Sequence, residues 1–232
     1  MAKTQNVVEL RDITKVYGTV VKTEVLHGIS LAFEEQSFNS IIGQSGSGKS
    51  TLLNIMSTLD KPTEGEVYIN GIRTDGMTNS DISILRNETI GFIFQFHYLL
   101  PEFSALENVL MPYRIKNKKV SDEIIGRADE LMELMGLTKV KDNNAQAMSG
   151  GQQQRTAIAR ALINDPKIVF ADEPTGNLDS DTTETVYALM KKIHRKFGTT
   201  FIIITHDQKI AEKTDRIIEL RDGNVVMDIK TR

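Results

Sequence analysis

The chain has 232 residues, 40% hydrophobic and 25% charged, with a formal net charge of −3. That length supports one large domain or a domain with an insert, and the composition is ordinary for a globular chain with a sizeable core. The slightly acidic balance gives no electrostatic footprint for nucleic acid, and zero cysteines exclude disulfides and thiolate metal sites.

At the N-terminus, MAKTQNVVELRD contains neither the apolar core of a signal peptide nor a glycine at position 2. The apolar runs, such as Phe201 to Ile204, fall far short of the roughly 20 residues that cross a bilayer, so the chain is expected not to enter the membrane by itself. NVVEL and VLHGISLAF read as early strands. FNSIIG reads as another and runs into a glycine-rich loop, after which KSTLLNIMSTL has helical spacing. EVYI and IGFIF are strand-like. From about Tyr98 to Met148 the texture turns helix-rich, including SDEIIGRADELMELMGL, with Ser121 as an N-cap and the Met-rich LMELMG at core spacing. Strand-like runs return at KIVFAD, TTFIIIT and DRIIELRDG, with the helical TTETVYALMKKIHRKF among them. Strands alternating with helices predict an α/β fold with a mostly parallel sheet, and the middle block reads as an all-helical insert.

GQSGSGKS, from Gly43 to Ser50, fits G-x-x-x-x-G-K-[ST] between an apolar strand and a helix, the setting this motif requires. Glycines let the N–H groups of Gly43, Gln44, Ser45, Gly46, Ser47 and Gly48 converge on phosphate oxygens where a side chain would obstruct them. Lys49 reaches for the β- and γ-phosphates, Ser50 offers its hydroxyl to Mg²⁺, and Thr51 continues the helix N-terminus. These residues predict a nucleoside triphosphate site.

KIVFADEPTGNLDS ends an apolar strand on Asp172, at the sheet edge where open α/β sheets bind ligands. Asp172 there suits Mg²⁺, and Glu173 suits a general base acting on water, a role worth roughly 10²–10⁴-fold. His206 follows the strand-like TTFIIIT and reaches the same edge if the strands are neighbours. Gln95 follows IGFIF in the same way. Taken singly, both read more readily as incidental polar residues than as functional ones. A second phosphate-binding pattern, Ser149 before Gly150 and Gly151 at a helix start, lies about a hundred residues beyond the first.

In chain order, the phosphate loop, Gln95, SGGQQQR, ADEPTGNLD and THD resemble the nucleotide-binding subunit of an ATP-binding cassette (ABC) transporter, over essentially the whole chain. The resemblance implies the ABC ATPase fold: an α/β phosphate-loop NTPase core with a mostly parallel sheet, an N-terminal antiparallel β part and a helical insert. It divides the chain into a RecA-like core at 1–96 and 150–232 and a helical subdomain at 97–149. It implies two subunits packed head to tail around two ATP molecules, which explains the two phosphate patterns in one chain. Ser149, Gly150, Gly151 and Gln152 then close over the γ-phosphate held by Lys49 of the other copy, with Asp179 linking the two sites. ATP and Mg²⁺ are the implied cofactors. Glu173, His206, Gln95 and Lys49 carry the chemistry, and Ser50, Gln95 and Asp172 the metal. Tyr17 matches the aromatic that stacks on adenine; alone it reads as an ordinary surface or core aromatic.

GFIFQFHYLLPEFSALENV, MSGGQQQRTAIARAL and DEPTGNLDS are similar to the lipoprotein-release, macrolide-export and antimicrobial-peptide-resistance group. A short stand-alone ATPase matches its lipoprotein-release and peptide-resistance arrangements. The implied partners are a second copy and an integral-membrane permease, which holds the chain on the cytoplasmic, inner face of the cell membrane; Phe96 to Pro101 reads equally as its docking surface or as a simple aromatic core cluster. RIKNKKV reads as a solvated basic loop. Three departures from the family pattern remove no catalytic group: Met148 for Leu, Gln44 for Pro, and Gln36-Ser37 for a Gly-Glu turn. A cell-division ATPase that controls a wall hydrolase through a membrane partner fits the same residues. DNA-repair and chromosome-organising ATPases with this signature carry long coiled coils, whereas about 120 residues without sustained heptads separate Ser50 from Ile168.

Overall fold

Two sheets share the chain. In the computed structural model, which describes residues 5–117 and 119–231, the first sheet is antiparallel and four-stranded. Residues 1–4 of the opening stretch and Lys118 of the basic run lie outside the described residues. Strands β1 (Asn6–Tyr17) and β2 (Thr23–Glu34) form a hairpin, and β4 (Glu64–Ile69) and β5 (Ile72–Arg73) extend it in the order β2-β1-β4-β5. The second sheet takes β3 (Phe38–Ile42), β6 (Ile90–Phe94), β7 (Ile168–Asp172), β8 (Thr200–Ile204), β9 (Arg216–Arg221) and β10 (Asn224–Lys230). Its order is β10-β9-β3-β8-β7-β6, parallel from β9 to β6 and antiparallel only at β10.

The parallel strands read as unbroken apolar runs because both faces are covered, and all residues of β8 are buried. Alternate residues of β8 enter different cores. Phe201 and Ile203 pack with Val109, Leu131, Ile158 and Met190. These come from α3 (Ala105–Lys116), α4 (Asp122–Leu134), α5 (Gly150–Leu162) and α6 (Ser180–Phe197). Ile202 and Ile204 pack with Phe33, Val67 and Leu52. Leu52 belongs to α1 (Lys49–Met56), so the antiparallel sheet and the helix after the glycine loop cover the opposite face.

Between Gln95 and Lys167 the described residues are helices, turns and one isolated bridge, Ser104 to Asn144. Ser121 does cap α4, accepting from the Ile124 N–H, and Met132 and Met135 of LMELMG are buried. The basic run is not simply a loop. Arg114 and Lys116 sit in the last turn of α3, where their charge complements the carbonyl end of the helix.

Two further elements complete the helices, α2 (Asn79–Thr89) and the single turn α7 (Gln208–Ala211). The turn at Gln36-Ser37 keeps a left-handed backbone, with φ of +55° at Gln36, and the Gln36 N–H donates to Thr200 Oγ1 at 2.9 Å. A non-glycine residue there costs on the order of 1 kcal/mol.

The register sets the site. Ile204 pairs with Ile41 on one side and Asp172 on the other, and Asp172 pairs with Phe94. The glycine loop after β3, Asp172-Glu173 after β7, His206 after β8 and Gln95 after β6 therefore leave the sheet at one edge, where ligands of such sheets bind.

Candidate active site

The glycine loop is shaped by what surrounds it. A Cβ on Gly43 would stand 2.2 Å from the Leu220 carbonyl oxygen. One on Gly48 would stand 2.9 Å from Leu26 Cδ2, in a backbone with φ of +99° that side chains rarely adopt. The loop thus turns tightly and hands over to α1 with its amides uncovered. Among the described residues α1 is the only α-helix without a side-chain cap. Thr78, Ser104, Ser121, Ser149, Asp179 and Asp207 cap α2 to α7 in turn. An uncapped helix start carries about half a positive charge and free N–H donors.

Lys49 donates to the carbonyl oxygens of Gly43 and Gln44, both at 2.8 Å. Burial lowers the pKa of its ammonium, against the opposing charges of Glu173 and Asp172. Asp172 has its pKa raised, first by burial and then by Glu173, with Lys49 pulling the other way. Glu173 has φ of +45°, a left-handed conformation that non-glycine residues adopt mainly where surrounding structure enforces it. The enforcing contacts are its N–H on the Ile204 carbonyl at 2.9 Å and its own carbonyl accepting from the Gly176 N–H at 3.0 Å. The result aims its carboxylate at His206, whose Nδ1 is 2.8 Å from Glu173 Oε1.

These groups line one cleft of about 450 Å³. It gathers Gly43, Ser45, Gly46, Gly48, Lys49, Ser50, Thr51, Asp172, Glu173 and His206. Val25 and Ile204 line it too, and sequence reasoning missed both. Ile204 carried a signal as the last residue of TTFIIIT, whereas Val25 reaches the cleft only through the packing of β2 against the loop.

Other predicted residues stand outside the cleft. Gln44 contributes its carbonyl to Lys49, and the Ser47 hydroxyl is buried without a hydrogen-bond partner. Gln95 is turned to Asn177: its Nε2 donates to Asn177 Oδ1 at 3.3 Å, and Asn177 Nδ2 returns a bond to the Gln95 carbonyl at 3.2 Å. Tyr17 ends β1 with its hydroxyl on Asp60. Ser149 and Gln152 form a reciprocal capping box that starts α5, with Gly150 and Gly151 in its first turn. Asp179 caps α6 through the Thr182 N–H at 2.9 Å. The α5 start is thus closed by its own capping box, and only α1 opens into the cleft with Glu173 and His206.

Comparison with known proteins agrees with this geometry. The ABC transporter family matches residues 26–176. A lipoprotein-releasing system ATP-binding protein LolD 1 of Rhodopseudomonas palustris is 49% identical over 222 residues, 95% of this chain and 98% of that one. The LolD of Aquifex aeolicus is 48% identical over 206 residues, covering 89% and 91%. Among solved structures, a dimeric ATP-binding cassette in a post-hydrolysis state with ADP and Pi superposes with a TM-score of 0.88 at 43% identity, over 97% of this chain and 99% of that one. The CbiO1 subunit of a Clostridium perfringens ABC transporter complex gives the same TM-score, 0.88, at 28% identity, over 98% and 89%. The chain belongs to the ABC transporter family and is an ATPase cassette of it.

Proposed function

We propose that this cassette is the nucleotide-binding subunit of a lipoprotein-release transporter, hydrolysing ATP to drive a membrane permease. The observation that carries the chemistry is the uncapped start of α1 opening into the same cleft as the Glu173–His206 pair. The relatives' printed function supports the choice of cargo class.

The backbone N–H groups of the loop and of the α1 start bind the phosphate oxygens of ATP. Lys49 exchanges the carbonyls of Gly43 and Gln44 for the β- and γ-phosphate oxygens. Glu173 takes a proton from water as the water oxygen bonds to the γ-phosphorus and the bond to the β–γ bridging oxygen breaks, releasing ADP. His206 holds the Glu173 carboxylate in place and faces the γ-phosphate. The residues also fit Mg²⁺. The Ser50 hydroxyl and the Asp172 carboxylate are hard oxygen donors that would hold it. Among the described residues no cluster of three or more His, Cys, Asp or Glu offers an all-protein cage. When bound, the ion neutralises charge on the phosphate oxygens. Gln95, once free of Asn177, would offer its side-chain oxygen as a further donor to the ion and to the attacking water.

Ser149, Gly150, Gly151 and Gln152 complete the site of a second copy packed head to tail, and Asp179 lies at the junction between the two sites. Residues 1–96 and 150–232 act as the ATP-binding core and 97–149 as the helical subdomain. Phe96 and Tyr98, 60% and 66% exposed, are the surface for the permease. No helix among the described residues is long and apolar enough to cross a membrane, so the inner-face location follows from that docking.

The test is capture from detergent extract with tagged Glu173→Gln and ATP, a variant that holds nucleotide without turnover. Co-purification of a permease with few membrane helices and a large outer domain, together with bound lipoprotein, is the expected result. Recovery of a cell-division complex in its place would overturn the transport reading and leave the ATPase chemistry standing.

A further inference from the structure

Tyr17 would normally be a free rotor. It ends a strand and is 42% exposed, yet its ring is fastened at the rim and on one face. Its hydroxyl donates to Asp60 Oδ2 at 2.8 Å, and the Lys15 ammonium sits 4.8 Å from the ring centroid. Lys15 and Asp60 are themselves fixed. Lys15 is almost wholly buried, and its Nζ donates to Asp60 Oδ1 at 2.8 Å and to the Lys61 carbonyl at 2.6 Å. The Lys61 N–H donates to Asp60 Oδ1 at 2.7 Å, and the Asp60 N–H donates to the carbonyl of Asn54 in α1 at 3.0 Å. The phosphate-binding helix and the exposed ring are thereby joined through a few side chains.

We propose that Lys15 and Asp60 are positioning residues for base recognition: they lock the Tyr17 ring so that one face is taken by the ammonium and the other is presented to the aromatic base of the nucleotide. The inference rests on the reading of Tyr17 as the base-stacking residue, and deepens it. The physical reason is preorganisation. A ring that is already immobile loses no rotamer freedom when a base stacks on it, and freezing a mobile side chain on binding weakens affinity. The cation on the covered face is attracted to the ring by its quadrupole, so it holds the ring without competing for the open face. Because Asp60 is tied to α1, the ring is set at a fixed offset from the helix that binds the phosphates.

The experiment is calorimetric titration of the intact chain with Mg·ADP and with Mg·pyrophosphate, which shares the phosphates but has no base. Tyr17→Phe, Asp60→Asn and Lys15→Met should each weaken Mg·ADP about three- to tenfold, the loss of one preorganised side chain, with pyrophosphate unchanged. Lys15→Arg, which keeps a cation, should recover most of the affinity. In turnover the same variants should raise KM at unchanged kcat. Tyr17→Ala separates the two layers of the argument. If it weakens Mg·ADP while Tyr17→Phe and Asp60→Asn do not, stacking stands and the positioning role is wrong. If Tyr17→Ala leaves Mg·ADP unchanged, the stacking reading fails and takes the proposal with it. Equal losses for Mg·ADP and pyrophosphate would mean that the cluster supports only the loop, and would also overturn the proposal. Tyr17→Phe removes a single oxygen, so the test does not depend on the buried Lys15→Met variant folding.

Discussion

His206 Nδ1 lies 2.8 Å from Glu173 Oε1, across the ends of two neighbouring parallel strands. The contact goes with the left-handed backbone at Glu173, since an extended residue there would turn its side chain to one face of the sheet and not across the strand ends. Glu173→Gln should bind ATP normally and lower kcat by about 10²–10⁴-fold, and His206→Ala should lower it by a similar order. Because the two act as a unit, the double variant should be hardly slower than Glu173→Gln alone. Steady-state phosphate release with equilibrium ATP binding measures all three. Additive losses would show that the two side chains act separately.

Gly48→Ala tests the loop. The added methyl meets Leu26 Cδ2 at 2.9 Å and the Val25 carbonyl at 3.1 Å, in a conformation disfavoured for alanine. The combined cost should be about 2–4 kcal/mol. At 2–4 °C per kcal/mol for a chain of this size, the melting temperature should fall by roughly 4–16 °C, with loss of nucleotide binding. Differential scanning calorimetry with and without nucleotide reads both effects.

Mixing two inactive chains tests the shared site. Lys49→Ala removes the phosphate ligand and Ser149→Ala removes the other copy's contribution, together with an N-cap worth about 1 kcal/mol. Each homodimer should be inactive. Equal mixtures should recover about a quarter of wild-type turnover, since half the dimers are mixed and each has one intact site. No recovery on mixing would place both residues in service of the same chain's nucleotide.

Asp228 supplies the pH test. Arg216 Nε and Nη2 donate to its two carboxylate oxygens at 2.7 and 2.6 Å, tying β9 to β10. That bond, ahead of burial, holds the Asp228 pKa below its ordinary value of 3.8. A depressed carboxylate contributes stability that is full above the ordinary pKa and is lost as pH falls through the folded one. Asp228→Asn should cost about 1 kcal/mol at pH 7, or roughly 2–4 °C. The gap from wild type should close as the pH is taken below 3.8. Thermal melts across that range decide it.

The sequence was legible where local chemistry is self-sufficient. The phosphate loop announces itself because glycines, lysine and serine at fixed spacing have few other uses. β7 and β8 announce themselves because a strand buried on both faces is apolar throughout. α2 was hidden, since NSDISILRNET buries only Ile82, Leu85 and Thr89 and so shows little apolar stripe. β10 was hidden as an edge strand with mixed exposure. Val25 could not be found at all, because it reaches the cleft through packing between β2 and the loop that no local pattern records. The turn at Gln36 looked foreign to its family, yet it keeps a left-handed backbone without the glycine.

Arg160 gives the segment from Phe96 to Tyr98 a property of its own. It donates Nη1 to the carbonyl of Tyr98 and Nη2 to that of His97, so α5 grips this segment by its main chain. The exposed rings of Phe96 and Tyr98 are left out of that grip. The segment's seat on α5 therefore does not depend on which side chains stand at positions 96 and 98, and these can be exchanged without disturbing the catalytic machinery.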